Sequence, residues 1–426
     1  MTEERPAGTP VLRRMNRAAV LDAVRRRAPE PVRVAELVQL TELTRPTVAQ
    51  AVEDLLAAGW LRQHAPEPAT TSRTVGRPAS RFSLNGRAAP VLGLDVGPHT
   101  VTAGIADLAG ERLALIRRPV GRRGARHLLE AVDEATDEAL AAAGLTAGQI
   151  TAVTAATPGI VEVATGRVLF APSVPGWSEI DLADRLRARF RCAVTVENDA
   201  NLAALAAVRQ RPGAGTLLAV QWGERLGAGV VIDGRLHRGA GQAGEIGFIR
   251  PPGDRPDPPG GPDAAKDLSD PTGDLPHPAG DLADVAGDGR GPLERAIGAE
   301  AIVELARRRA AGHPESGLAR ARDAAAVFAA AAGGDPIAIE VVDRVAAVFA
   351  EAIAPVVLVL SPHAIVIGGG IARAGAVLLD AIARHLRELT LTPPSVELSE
   401  FAEGTVLTGA IQMALDEVWR DTLTVT

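Results

Sequence analysis

Val194–Ala200 reads VTVENDA, an apolar strand that ends in Glu197, Asn198 and Asp199 immediately before a helical run. An amide beside a carboxylate at the end of a strand can hold two adjacent hydroxyls of a sugar, and the Asp199 carboxylate can accept the proton of an attacking hydroxyl. The plainer alternative is that Asn198 and Asp199 only cap the helix Ala200–Val208. Glycine-rich turns accompany this pair. Val91–Gly110 runs strand, Asp-Val-Gly turn, strand (Val101–Asp107), and a turn of that kind offers backbone N–H groups to phosphate. Leu217–Gly234 is a hairpin with a glycine-rich turn, Gly239–Phe248 carries Glu245 in a loop, and Ala364–Gly370 is a strand feeding three glycines. A further strand is expected at Ile150–Pro158.

A second set of polar residues, Arg45, Thr47 and Gln50, lies near the start of a short helix. The elements that would position it are a helix at Val34–Leu40, a turn at Thr41–Leu43, and a helix from its N-cap Thr44 through Pro46 to Ala58, stopped by Gly59. Val48, Val52, Leu55 and Leu56 recur at helical spacing and face inward, leaving Arg45, Thr47 and Gln50 outward, where such side chains reach bases and phosphates in a major groove. A preceding helix, Arg14–Arg27, adds Val20, Leu21 and Val24 to a small core. Gly76–Leu84 (GRPASRFSL) has a basic turn with Arg77, then alternating residues, as in the wing of a winged helix. The alternative is a plain helical hairpin with a solvated face.

Charge favours the nucleic-acid reading. Residues 11–89 hold 13 Arg against 7 Asp and Glu, a net of +6; residues 1–10 carry −1, so the chain total of −7 leaves −12 for residues 90–426. A basic segment on an acidic body suits local contact with phosphates. With 426 residues, 46% of them hydrophobic, two or three domains are expected. Cys192 is the single cysteine, which excludes an intrachain disulfide and a multi-cysteine metal site; following Phe190, it is expected to be a buried thiol. There is neither an uninterrupted apolar run of membrane-spanning length nor an apolar leader, so a cytoplasmic protein is expected. Pro251–Pro292, with ten Pro and nine Asp, is too poor in apolar residues to pack alone and is expected to be an insertion. His99 and His237 lack partner spacing and are expected to be structural.

Taken in order, LDVG, ENDAN, GAGVVIDG, AGEIG and IGGG resemble the ROK family, named for repressors, open reading frames and kinases; the resemblance covers about Val11 to Leu415 apart from Pro251–Pro292. It implies an α/β chain: an N-terminal winged helix-turn-helix over residues 1–89 and, over 90–426, an actin-like, ribonuclease-H-like, two-lobed sugar-kinase-like body. It also implies that Asn198, Asp199, Glu245 and Glu294 (in GPLE) bind a sugar, with Asp199 as the base if the chain is a kinase. Departures from the family pattern bear on activity. Pro98 and His99 replace a glycine and a threonine after the first turn. Gly223-Glu224-Arg225-Leu226-Gly227 puts a carboxylate where triphosphate would lie, with Arg225 as the cation to offset it. Phe248 replaces a histidine, and the zinc-binding cysteines are missing, so no metal and no cofactor are expected. The resulting expectation is a sugar-responsive regulator, most simply a repressor. It would use Arg45, Thr47, Gln50 and Arg77 on operator DNA and assemble as a homodimer or homotetramer. An ATP-dependent sugar kinase and a regulator with a vestigial pocket are the alternatives.

Overall fold

The computed structural model describes residues 8–65, 80–121, 124–211, 213–252, 289–313, 316–400 and 404–424. Arg77 and most of the Pro251–Pro292 segment lie outside the described residues. Both ends of that segment are packed into the body, however, and Pro292 opens a helix behind Gly291.

The first region contains α1 (Gly8–Arg27), β1 (Val32–Arg33), α2 (Val34–Thr41), α3 (Arg45–Ala57), β2 (Leu61–His64) and β3 (Arg81–Leu84). The helix α1 begins about two turns earlier than its apolar pattern indicated. Thr44 caps α3 by accepting the Thr47 N–H, and Pro46 occupies the first turn, where no amide donor is needed. Val48, Val52 and Leu55 are buried against Val20, Leu21 and Val24, while Leu56 is only partly buried. The strands β2 and β3 pair antiparallel from Leu61↔Leu84 to His64↔Arg81, with β1 on the outer edge of β3, which gives a winged helix.

Two five-stranded sheets follow. The first holds β4 (Val91–Val96), β5 (Thr100–Ala106), β6 (Arg112–Pro119), β7 (Ala152–Thr157) and β10 (Ala193–Asn198). Alongside it lie α4 (Ala125–Ala143), the small pair β8 (Ile160–Val161) and β9 (Val168–Phe170), and α5 (Leu182–Phe190). The second sheet holds β11 (Leu217–Trp222), β12 (Leu226–Ile232), β13 (Arg235–His237), β14 (Ala364–Gly368) and β15 (Ser395–Leu398). Its helices are α6 (Asp199–Arg209), α7 (Pro292–Ile297), α8 (Ala299–Ala310), α9 (Ala324–Ala332), α10 (Pro336–Leu360) and α11 (Ala376–Leu389), and the last helix, α12 (Thr405–Leu423), returns to the first sheet. The sheet orders are β10-β7-β4-β5-β6 and β13-β12-β11-β14-β15. Each sheet is therefore an antiparallel three-strand meander extended by two parallel strands, the same topology used twice. Strands buried on both faces read as near-continuous apolar runs, and β4, β7, β11 and β14 are of that kind, broken only by Asp95, by Thr154 and Thr157, and by Gln221.

The helices α6 and α12 lie against each other between the two sheets, α6 on β11 and β12 and α12 on β4 and β7. Their closeness depends on Gly409 of α12, where a Cβ would stand 1.9 Å from the Leu202 carbonyl oxygen. The winged helix shares this core instead of hanging from a linker. Val24 and Leu55 belong to one buried cluster with Val91, Leu108, Val418 and Trp419, and the Arg25 guanidinium lies 4.9 Å from the centre of the Trp419 ring. In the second lobe, Trp222 is fully buried, stacks on Phe349 at 4.7 Å and donates its indole N–H to the Ile297 carbonyl at 2.9 Å. Cys192 is half-buried, not buried as its neighbours implied, because it lies in the turn between α5 and β10.

Candidate functional site

The strand β10 delivers Glu197, Asn198 and Asp199 to the cleft between the lobes, and the switch from strand to helix there is local chemistry. The Asn198 side-chain oxygen accepts the Asn201 N–H at 3.2 Å, capping α6, while its amide nitrogen donates to the Gly159 carbonyl at 2.9 Å. Asn198 is thus a cap, as the plainer reading had it, and also a wall of the cleft. Glu197 turns away from the cleft. It is buried and takes hydrogen bonds from Asn201 and, at 2.5 Å, from Arg238, so it holds the strand end in place. Asp199 accepts the Ala200 N–H at 2.8 Å and keeps its carboxyl toward the cleft.

A cavity of about 470 Å³ brings Asn198, Asp199, Glu245 and Glu294 together, with Phe248 on one wall. Glu245 sits on the short turn that ends the glycine loop, and Glu294 in the first turn of α7. Four carboxyls, those of Asp199, Glu224, Glu245 and Glu294, line this space. Burial, then the negative charges of Asp199 and Glu294, push Glu245 up to about 7. Burial also pushes Asp199 up to about 6, against the stabilising backbone N–H of Ala200. Asp95, at the end of β4, rises to about 7 through burial and the nearby Asp199 charge, with Arg117 opposing. Asp95 went unremarked as a site residue in the sequence, although it leads the Asp-Val-Gly turn. Groups titrating near neutrality can accept or donate a proton, and carboxyls not consumed by internal ion pairs can receive hydroxyl donors.

The phosphate turns are arranged differently from expectation. Arg225 does not offset Glu224. Its guanidinium reaches into the cavity, where Nη1 lies 3.3 Å from Glu294 Oε1 and donates to the Gly289 carbonyl at 2.9 Å. The partner of Glu224 is His99, expected from its spacing to stand alone: Nε2 and Oε2 are 3.0 Å apart, and the pair joins the β4–β5 turn of one lobe to the β11–β12 turn of the other. A triphosphate placed between these turns would meet the Glu224 carboxylate. Pro98 lacks an amide donor on the opposite side, and both features oppose nucleotide binding. Zinc likewise finds no cysteine cluster, Cys192 being the single thiol.

On the winged helix, Arg45 and Gln50 are exposed, with the Gln50 amide 3.2 Å from Asp54. Thr47 is half-buried, its hydroxyl 2.8 Å from that of Thr44, so it is less free than its outward helical position suggested.

The ROK family profile matches residues 91–417, and the MarR family profile matches residues 12–70. The chain belongs to the ROK family. Its N-terminal region is a MarR-like winged helix. Among ROK relatives, the glucokinase of Halalkalibacterium halodurans is 30% identical over 327 residues, spanning 74% of this chain and 90% of that enzyme. A putative xylose repressor of a Caldicellulosiruptor species is 30% identical over 223 residues, 50% of this chain and 54% of the relative. A solved ROK family transcriptional regulator, a homolog of the E.coli MLC protein, shares the fold at TM-score 0.70 and 24% identity. That match covers 97% of this chain and 99% of the other. Among the described residues, no helix is long and apolar enough to cross a membrane.

Proposed function

We propose that this ROK protein is a cytoplasmic DNA-binding regulator, a repressor of carbohydrate-related genes, whose operator affinity responds to a sugar or sugar derivative in the interlobe cleft. The observation that carries this reading is a winged helix built into the core of a body whose cleft gathers Asn198, Asp199, Glu245 and Glu294, side chains suited to a polyol, while Glu224 of one glycine turn faces His99 of the other. The xylose repressors and glucokinases among its relatives support a sugar as the ligand class.

Binding acts on DNA only if the sugar favours one arrangement of the lobes over the other. The helix α12 supplies the route. It packs on β4 and β7 in one lobe, on α6, and through Val418 and Trp419 on α1 of the winged helix. A change of angle between the lobes therefore reaches the DNA-reading helix through packed side chains. Arg45, Thr47, Gln50 and Arg77 are assigned to the operator, and two copies reading half-sites about one helical turn apart make a homodimer the smallest working unit.

Selection of bound duplexes from a random pool by the full chain, with and without glucose or xylose, tests the reading. Enrichment of one sequence that a sugar weakens supports it; equal recovery of all sequences at low and high salt removes it. Asp199, at about 6 and placed like a general base, favours a second reading as an ATP-dependent sugar kinase. Sugar-dependent ATP turnover that vanishes in Asp199→Asn would establish that alternative.

A further inference from the structure

We infer that Arg225 decides which ligands the cleft admits: it occupies Glu294 as an internal substitute for a ligand, and a sugar that takes Glu294 must turn Arg225 aside and disturb the adjoining Glu224–His99 contact. The inference rests on the sugar-responsive reading and deepens it.

Glu294 is buried, and its carboxylate shares the cavity with Glu245 and Asp199, whose charges oppose it. Arg225 supplies the cation at 3.3 Å, with Arg290 farther off at 3.9 Å. A sugar hydroxyl or ammonium group that hydrogen-bonds Glu294 competes for the oxygen that faces Arg225. The cleft therefore selects neutral or amine-bearing sugars. A sugar acid or sugar phosphate would bring its anion among Asp199, Glu224, Glu245 and Glu294, where repulsion opposes it.

Displacement of Arg225 cannot stay local. Trp222 pairs with Leu226 across the hairpin, so its tip is Gly223, Glu224 and Arg225, closed by a 2.9 Å hydrogen bond from the Gly223 N–H to the Arg225 carbonyl. The buried, hydrogen-bonded Trp222 anchors the base of the hairpin, which leaves the tip to absorb the movement. Arg225 projects from that tip into the ligand cavity, and Glu224 projects across to His99 on the other lobe. One turn thus holds both the ligand-sensing contact and an inter-lobe contact.

The test titrates glucose, xylose and glucosamine into the full-length protein and into Arg225→Gln, which keeps a donor for Glu294 but removes the cation. Binding is read by calorimetry, and the His99 imidazole by NMR, with its signal assigned through His99→Gln. The sugar that binds should do so roughly tenfold more tightly to Arg225→Gln, the equivalent of about 1.4 kcal/mol. In the unaltered protein the His99 signal should move along the binding curve; in Arg225→Gln it should stay still. Where both proteins bind, tighter binding by Arg225→Gln without a His99 response in the unaltered protein, or the response without tighter binding, overturns the inference and leaves the sugar reading standing. Binding by Arg225→Gln alone supports it. No binding by either protein removes the sugar reading and this inference together. If Arg225→Gln does not fold, Glu224→Gln takes its place: it should abolish the His99 response to bound sugar, and a persisting response overturns the inference.

Discussion

Glu245→Gln should stabilise the protein at alkaline pH while weakening its ligand site. The Glu245 carboxyl rises from 4.5, the ordinary value for glutamate, to about 7 through burial and the charges of Asp199 and Glu294. Because the folded pKa lies above the unfolded one, the stability linked to the bound proton is fully present below about 4.5 and is lost as pH rises through about 7. At 1.36 kcal/mol per unit, the shift amounts to about 3 kcal/mol, lost across that window. Glutamine keeps the shape and cannot ionise, so the variant should escape that loss. At about pH 8 it should be more stable than the parent by up to about 3 kcal/mol, or several degrees in Tm for a chain of this size. Near pH 4 the two should melt alike. Thermal melts of both proteins across pH, read at one ionic strength, provide the assay. A difference in Tm that does not change with pH, or a variant less stable than the parent at alkaline pH, would refute the argument that burial and like charge govern this carboxyl.

Arg45→Ala and Gln50→Ala should lose discrimination between the selected operator and random duplex, each by about 1–3 kcal/mol, as measured by competition binding. The intact protein should bind DNA with a steep salt dependence, and a flat dependence would count against phosphate contact by the basic segment. Trp222→Ala should cost about 3–5 kcal/mol in chemical denaturation, since it opens a void beside Phe349 and strands the Ile297 carbonyl. Trp419→Ala should leave DNA binding by α3 largely in place but blunt any sugar response of operator affinity, because it cuts the packing between α12 and α1; an unchanged response would redirect the coupling route elsewhere.

The sequence alone determined what depends on near neighbours. A threonine before Arg-Pro caps a helix, 3.6-residue spacing picks out Val48, Val52 and Leu55 as its inner face, and largely apolar runs mark the central strands of both sheets. The identities of Asn198, Asp199, Glu245 and Glu294 as polar residues beside strand ends and glycine turns were legible for the same reason, as were the departures Pro98, His99, Glu224 and Phe248. Tertiary structure decided which of these side chains meet. His99 and Glu224 are 125 positions apart, and Arg225 reaches Glu294 rather than the carboxylate next to it, so no spacing rule could pair them. The half-exposed Cys192 and the common core of Val24, Val91 and Trp419 were hidden likewise. Propensity and periodicity act within a turn or two of chain. Partners brought together by packing two lobes around α6 and α12 depend on the whole of that packing.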